Sequence, residues 1–138
     1  MSRESRRLAA MLLILFPTVV FGGISVLTML ITNADGYTDN PLRQDLWSAG
    51  HAHAGVLLVL SLVILRYVDD AELSPRVKHL TRHSAPIAAI LLPVAFFLSV
   101  LPEDAAEPNG LIYLAYLGAV ILIAGLFTLG VGLYRASR

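Results

Sequence analysis

The chain has 138 residues, 57% of them apolar, with a mean hydropathy of +0.72, no cysteine, and ten basic residues balancing ten acidic ones. That composition is too apolar for an ordinary soluble domain. The missing thiols exclude disulfides, thiolate metal sites and cysteine catalysis.

A bilayer-spanning helix needs roughly 20 predominantly apolar residues. Four runs free of Asp, Glu, Lys and Arg meet or approach that length, at residues 8–31, 46–65, 84–101 and 110–134. The third is the shortest and carries Pro93, yet its flanks at Arg82 and Glu103 favour a full span. Unpaired backbone groups are costly in hydrocarbon, and these runs are too long for barrel strands. The expected fold is therefore all-α, a bundle of four transmembrane helices in one domain covering residues 1–138.

Basic residues set the expected orientation. Arg3, Arg6 and Arg7 precede the first run; Arg66, Arg76, Lys78 and Arg82 lie between the second and third; Arg135 and Arg138 close the chain. Only Arg43 falls on the other side. The positive-inside rule then puts both termini in the cytoplasm and the loops beginning at Asn33 and Pro102 outside. Ser5-Arg6-Arg7 also resembles a twin-arginine signal, but the apolar run behind it is far longer than a signal's core and lacks an A-x-A cleavage site. A retained first helix is expected. Within it Thr18, Ser25 and Thr32 recur seven apart, with Thr28 beside them, a hydroxyl stripe predicted to face protein. Pro17 is predicted to bend the helix.

The first outer loop, NADGYTDNPLRQD, predicts a turn at Asp35-Gly36 and a helix start with Asn40 as N-cap and Pro41 at the first helical position. The second run opens on WSAGHAHAGVLLVL, with His51 about 9 Å below the last charge, Asp45, at the outer boundary of the hydrocarbon. Residues two apart on a helix are separated by about 200°, so His51 and His53 face opposite ways and cannot grip one ligand from one chain. Gln44, Trp47, Ser48, Ala54 and Gly55 share the side of His51, which predicts an inward, functional ring in a polar pocket. Leu46, Ala49, Val56, Leu57 and Leu60 share the side of His53, a face suited to lipid or a second subunit.

Ser74-Pro75 predicts the start of the third helix, which runs through the basic stretch RVKHLTRH and past Pro86 and Pro93, the latter predicted to bend it. His79 and His83 have the i, i+4 spacing that lets two imidazoles hold one metal, but the Leu-Thr-Arg between them lacks the acidic residue of an H-E-x-x-H hydrolase. With Lys78 and Arg82 beside them, a basic helix on anionic lipid head groups is the plainer expectation. The short acidic loop PEDAAEPN leads to Asn109 as cap of the fourth helix, on which Gly118, Gly125 and Gly132 recur seven apart as a groove for a neighbour. Tyr113 and Tyr116 lie on the opposite side with Phe127, where an aromatic belt is the bland reading.

The stretch PLRQDLWSAGHAHAGVLLVLSLVIL at residues 41–65, with FPTVVFGG in the first helix, resembles a group of small four-span bacterial membrane proteins with GHAHAG in the second helix. That resemblance implies a fold and a bacterial inner membrane, and carries no chemistry to particular residues. A histidine pair early in a membrane helix is also distantly similar to haem-copper oxidase helices, though this chain lacks the further histidines such a core needs.

The candidate ligand or cofactor residues are His51, His53, Ser48, Thr28, Tyr113 and Tyr116, with His51 and His53 also the metal candidates. A haem or a transition metal is the cofactor class they suit, with Asp35, Asp45, Glu103 or Asp104 as oxygen ligands to a metal. The plain alternative is a structural hydrogen bond from His51 to Thr28 or a carbonyl. No glycine-rich phosphate loop, serine triad or mid-membrane charge is present, which argues against an enzyme and against an ion-coupled carrier. The expectation is a non-catalytic binding or accessory subunit of a larger membrane assembly. Its alternatives are a redox or metal protein (haem, copper or quinone-linked) and a small transporter. Expected partners are the bilayer, other membrane subunits or further copies of the chain, and no nucleic acid.

Overall fold

Asn40 takes extended backbone (φ −117°, ψ 93°) and its side-chain oxygen accepts from the amide of Arg43, so the helix behind it begins at Pro41 as the cap chemistry predicts. The same pairing recurs at Ser74-Pro75, although the Ser74 hydroxyl makes no capping bond. Asn109 accepts from the amide of Leu111 and opens a single 3₁₀ turn, Gly110–Ile112, rather than an α-helix directly. The computed structural model describes residues 1–138 and contains helices α1 (Arg3–Ile31), α2 (Pro41–Tyr67), α3 (Pro75–Ser99) and α4 (Tyr113–Ala136), with no strands. Each is long and apolar enough to cross a membrane. The chain is an all-helical four-helix bundle of multi-pass membrane character.

The helices form an open row rather than a closed square. α3 sits between α2 and α4 and packs closely on both, while α1 leans mainly on α2. Small residues on α3 allow this: Ala85, Ala88 and Ala95 are fully buried, and the α4 backbone is brought close by the predicted glycine stripe. A Cβ at Gly118 would lie 2.4 Å from Leu92 Cδ1, at Gly125 1.9 Å from Ser84 Oγ, and at Gly132 2.6 Å from Leu73 Cγ. At Gly125 a side chain would run into buried Ser84, whereas at Gly118 and Gly132 it would meet the branched ends of Leu92 and Leu73. The main apolar cluster, Ile64, Val68, Ala71, Ala85 and Leu129, joins α2, α3, α4 and the loop after α2 near the end that carries both termini.

The hydroxyl stripe of α1 does not pack on a neighbouring helix, contrary to the expectation from its spacing. Thr18, Thr28 and Thr32 are exposed, and none reaches a neighbouring helix. Each hydroxyl, and that of Ser25, donates to a carbonyl of its own helix: Thr18 to Leu15, Ser25 to Phe21, Thr28 to Ile24 and Thr32 to Thr28, at 2.7 to 2.9 Å. A hydroxyl satisfied by the preceding turn needs no interhelical partner, so it tolerates a lipid-facing position. α1 packs through Leu12 instead, with Phe16 and Val19 against the Leu58 and Leu65 side of α2.

At the end away from the termini, the last turn of α3 has four carbonyls that the helix cannot satisfy. Tertiary contacts take up three of them. Trp47 Nε1 donates to Phe97 (3.2 Å), Asn109 Nδ2 to Leu98 (3.1 Å) and the Asn109 amide to Ser99 (2.9 Å). The fourth, on Phe96, accepts from the Ser99 hydroxyl. Arg43 is buried beside them, donating to the carbonyls of Gly36 (2.7 Å) and Leu101 (3.0 Å), with its guanidinium 4.2 Å from the centre of the Trp47 ring. Gly36 has φ +68°, and a Cβ there would lie 2.7 Å from Glu103 Cγ. The turn therefore demands glycine twice over, for its backbone and for its neighbour.

At the end bearing the termini, Arg82 is buried and ties three segments together. Its Nε donates to Ser5 Oγ (2.9 Å), Nη1 to Glu4, and Nη2 to Asp69 (2.9 Å) in the loop after α2. Asp69 also accepts from the Ser2 amide at 2.6 Å. Burial pushes the Asp69 carboxyl up, but the Ser2 amide, the Ser5 hydroxyl, Arg82 and the Ser2 hydroxyl together hold it down, at about 2. A carboxylate whose folded pKa lies below its unfolded value stabilises the fold above the unfolded pKa and loses that contribution as pH falls through the folded one. We expect melting temperature in detergent to drop between about pH 4 and pH 2, by the equivalent of about 2 kcal/mol, and Asp69→Asn to flatten that limb. An unchanged acid limb in Asp69→Asn would place the titration elsewhere.

Candidate functional site

His51 sits on the first half of α2, half-buried, with its ring against the backbone of α1. A Cβ on Gly23 would lie 2.7 Å from both Cε1 and Nε2 of this ring, and one on Gly22 would lie 3.9 Å from Nδ1. Two adjacent glycines in the middle of a membrane helix are an unfavourable choice for the helix itself. Their use here is to let an imidazole approach the neighbouring helix closely. The ring lines a groove of about 650 Å³ between α1 and α2, walled by Phe16, Val19, Ile24, Leu27, Val56 and Val59 among others. His51 is its only polar lining side chain.

This differs from the polar pocket the sequence predicts. Trp47 turns away to the end of α3, and the Ser48 hydroxyl lies 3.4 Å from the hydroxyl of buried Tyr37. Thr28 spends its proton on Ile24, so it is not the donor to His51. Tyr113 and Tyr116 are exposed on α4 and lie against each other, ring centroids 6.1 Å apart, while the groove is built by α1 and α2 alone. Of the six candidates, the structure keeps the two histidines near one another in sequence only; Ser48, Thr28, Tyr113 and Tyr116 do not join them. The reason is that helical facing predicts a direction but not which neighbour occupies it: the element beside His51 is the apolar flank of α1.

His53 faces the other way, exposed, with its ring 5.2 Å from that of Phe96 on α3. Its Nδ1 lies 2.7 Å from the carbonyl oxygen of Ala49. A carbonyl only accepts, so Nδ1 is the donor, and in the neutral ring Nε2 holds the free lone pair. A backbone carbonyl on one ring nitrogen is the usual way of orienting an imidazole whose other nitrogen binds a metal. No group of three or more His, Asp or Glu side chains is gathered anywhere in the chain, so Asp35, Asp45, Glu103 and Asp104 do not assemble a site around either ring.

The residues beside His51 that the sequence reading missed are Gly23, which lines the groove, and Gly22 next to it. Their signal was visible, since a glycine pair within an apolar span marks close approach of another backbone or ring. Comparison of the chain with family models, with curated proteins and with solved structures finds no match.

Proposed function

We propose that the chain is a bacterial inner-membrane protein with both termini cytoplasmic, acting as a non-catalytic accessory subunit whose α1–α2 groove receives a membrane helix of a partner subunit against His51. The observation that carries this reading is a lone imidazole in an otherwise apolar groove, unpaired within the chain: Thr28 bonds elsewhere, and of the ring nitrogens only those of His53 and His83 have partners. A polar side chain at membrane depth gains most from a partner across a helix interface. Gly55 and Ala52 line the groove and permit close approach, while Phe21, Ile24, Val56 and Val59 leave broad apolar surface around it. The orientation rests on the bias of nine of ten basic residues toward the end with the termini.

The test is a photo-crosslinking residue at Val56, in native membranes. A discrete protein adduct is expected, lost in His51→Leu and in Gly23→Val, whose new methyl groups displace the ring. Adducts to lipid alone, or a protein adduct indifferent to both changes, would overturn the reading.

A second reading, a redox or metal protein using His51 and His53, is favoured by the Ala49 carbonyl that leaves His53 Nε2 free on an exposed face. A single chain offers that nitrogen no second ligand, so a haem or metal there would be shared between copies. A Soret band in the purified protein that vanishes in His53→Ala would select this reading over the first.

A further inference from the structure

At the opposite end of the bundle, His79 and His83 stand one turn apart on α3, beside the crevice between α3 and α4. Their ring centroids are 4.5 Å apart, with the planes inclined at 43°. Nδ1 of His83 lies 2.8 Å from the carbonyl oxygen of His79, so Nδ1 is the donor and, in the neutral ring, the Nε2 lone pair is free. This is the nitrogen through which an i, i+4 pair grips a metal, and its orientation is already held by the helix.

Sequence alone argues against a cation here because Lys78 and Arg82 flank the pair. The fold removes both. Lys78 Nζ donates to the Asp69 carbonyl at 2.8 Å, and the Arg82 guanidinium is buried in its contacts with Glu4, Ser5 and Asp69. Each lies about 100° around the helix from the histidine that follows it, toward α1 and the loop after α2. The wall that α4 presents to the crevice, Ile121, Ala124, Gly125 and Thr128, carries no charge. Arg76, exposed on the histidine face, is the one cation left there, and Glu4 from α1 borders the same hollow as Arg76 and His79.

We infer that His79 and His83 form a two-imidazole site for a divalent transition-metal ion of the copper, nickel or zinc class, which imidazole nitrogen suits. No third His, Asp or Glu joins them, so water completes the coordination and the ion exchanges readily. Leu80, Thr81 and Arg82 supply no general base between the ligands, so the site binds and does not hydrolyse. The inference is independent of the α1–α2 groove, which lies on other helices' faces.

The test uses the full chain in detergent, purified on a histidine-free tag, stripped with chelator and titrated with Cu²⁺ under electron paramagnetic resonance. One exchangeable equivalent per chain is expected, with hyperfine structure from two imidazole nitrogens. His79→Ala and His83→Ala should each weaken binding at least tenfold and leave one nitrogen, while the double change His51→Leu/His53→Leu leaves the signal intact. Exposed His79 can be lost without harm to packing, so its variant stays readable if His83→Ala misfolds. Binding that survives both α3 changes, or that disappears with His51 and His53, overturns the site.

Discussion

Gly125→Leu is expected to separate α4 from α3 and to leave little folded protein in detergent. Even the first carbon of a side chain at this position would lie 1.9 Å from Ser84 Oγ and 2.4 Å from Ser84 Cβ. Ser84 is buried and its hydroxyl donates to the Thr81 carbonyl, so moving it aside breaks that bond. Its own helix is held on the other side by fully buried Ala85 and Ala88. Overpacking of this kind costs about 1–3 kcal/mol when neighbours give way, and more when they do not. Here the expected loss is at the top of that range. Gly130→Leu is the matched control, since a Cβ there meets nothing within 4 Å. Thermal melts followed by circular dichroism, with size exclusion, should show a large loss for position 125 and almost none for position 130. Ser84→Gly should rescue Gly125→Ala in part, because the pair shares one contact. Equal melting of the two leucine variants would mean that α3 and α4 do not meet as described.

Arg82→Met should cost about 3 kcal/mol, the second-largest effect. Its guanidinium side chain is only 5% exposed and holds Glu4 and Asp69. Breaking a buried pair by removing one partner leaves the other charge unpaired, which is what makes the loss large. The estimate sits at the low end of the 3–5 kcal/mol span for buried pairs because Glu4 is 69% exposed and water screens it. Asp69, 15% exposed, carries most of the penalty. Arg66→Met gives the contrast: the Arg66–Asp70 pair is 60% and 55% exposed, and its loss should stay below about 1 kcal/mol. In Arg82→Met the end of α1 should also loosen, seen as faster hydrogen exchange at residues 2–7. Adding Asp69→Asn should recover part of the lost stability, since it removes the stranded carboxylate. If Arg82→Met and Arg66→Met melted alike, the cluster would be a surface feature and not a clasp.

These two positions also bear on the proposed His79–His83 site through geometry. The clasp holds Lys78 and Arg82 on one side of α3, away from His79 and His83, whose crevice also has no charge on its α4 wall. The glycine stripe, in turn, sets how near α4 stands to that crevice. Loss of the clasp in Arg82→Met therefore predicts weaker metal retention by the histidine pair as well as lower stability.

The amino-acid sequence alone determined the number of helices, the caps at Asn40 and Pro41, the turn at Gly36, the close α4 contact at Gly118, Gly125 and Gly132, and the opposite facing of His51 and His53. Each of these follows from local rules: the length of apolar runs, the donors left free at a helix start, backbone dihedrals, and 100° per residue. What only the tertiary structure decided is which neighbour each face meets. It put the α1 hydroxyls toward the outside, lined the His51 groove with apolar residues and Gly23, drew Arg43 and Arg82 into buried contacts, and turned Lys78 away from the histidine pair. A threonine can satisfy its proton within its own turn or across an interface, and an arginine can face solvent or bridge three segments, with the same sequence pattern in either case. The choice between them is made by packing partners that lie up to 80 residues apart in the chain, which no local periodicity encodes.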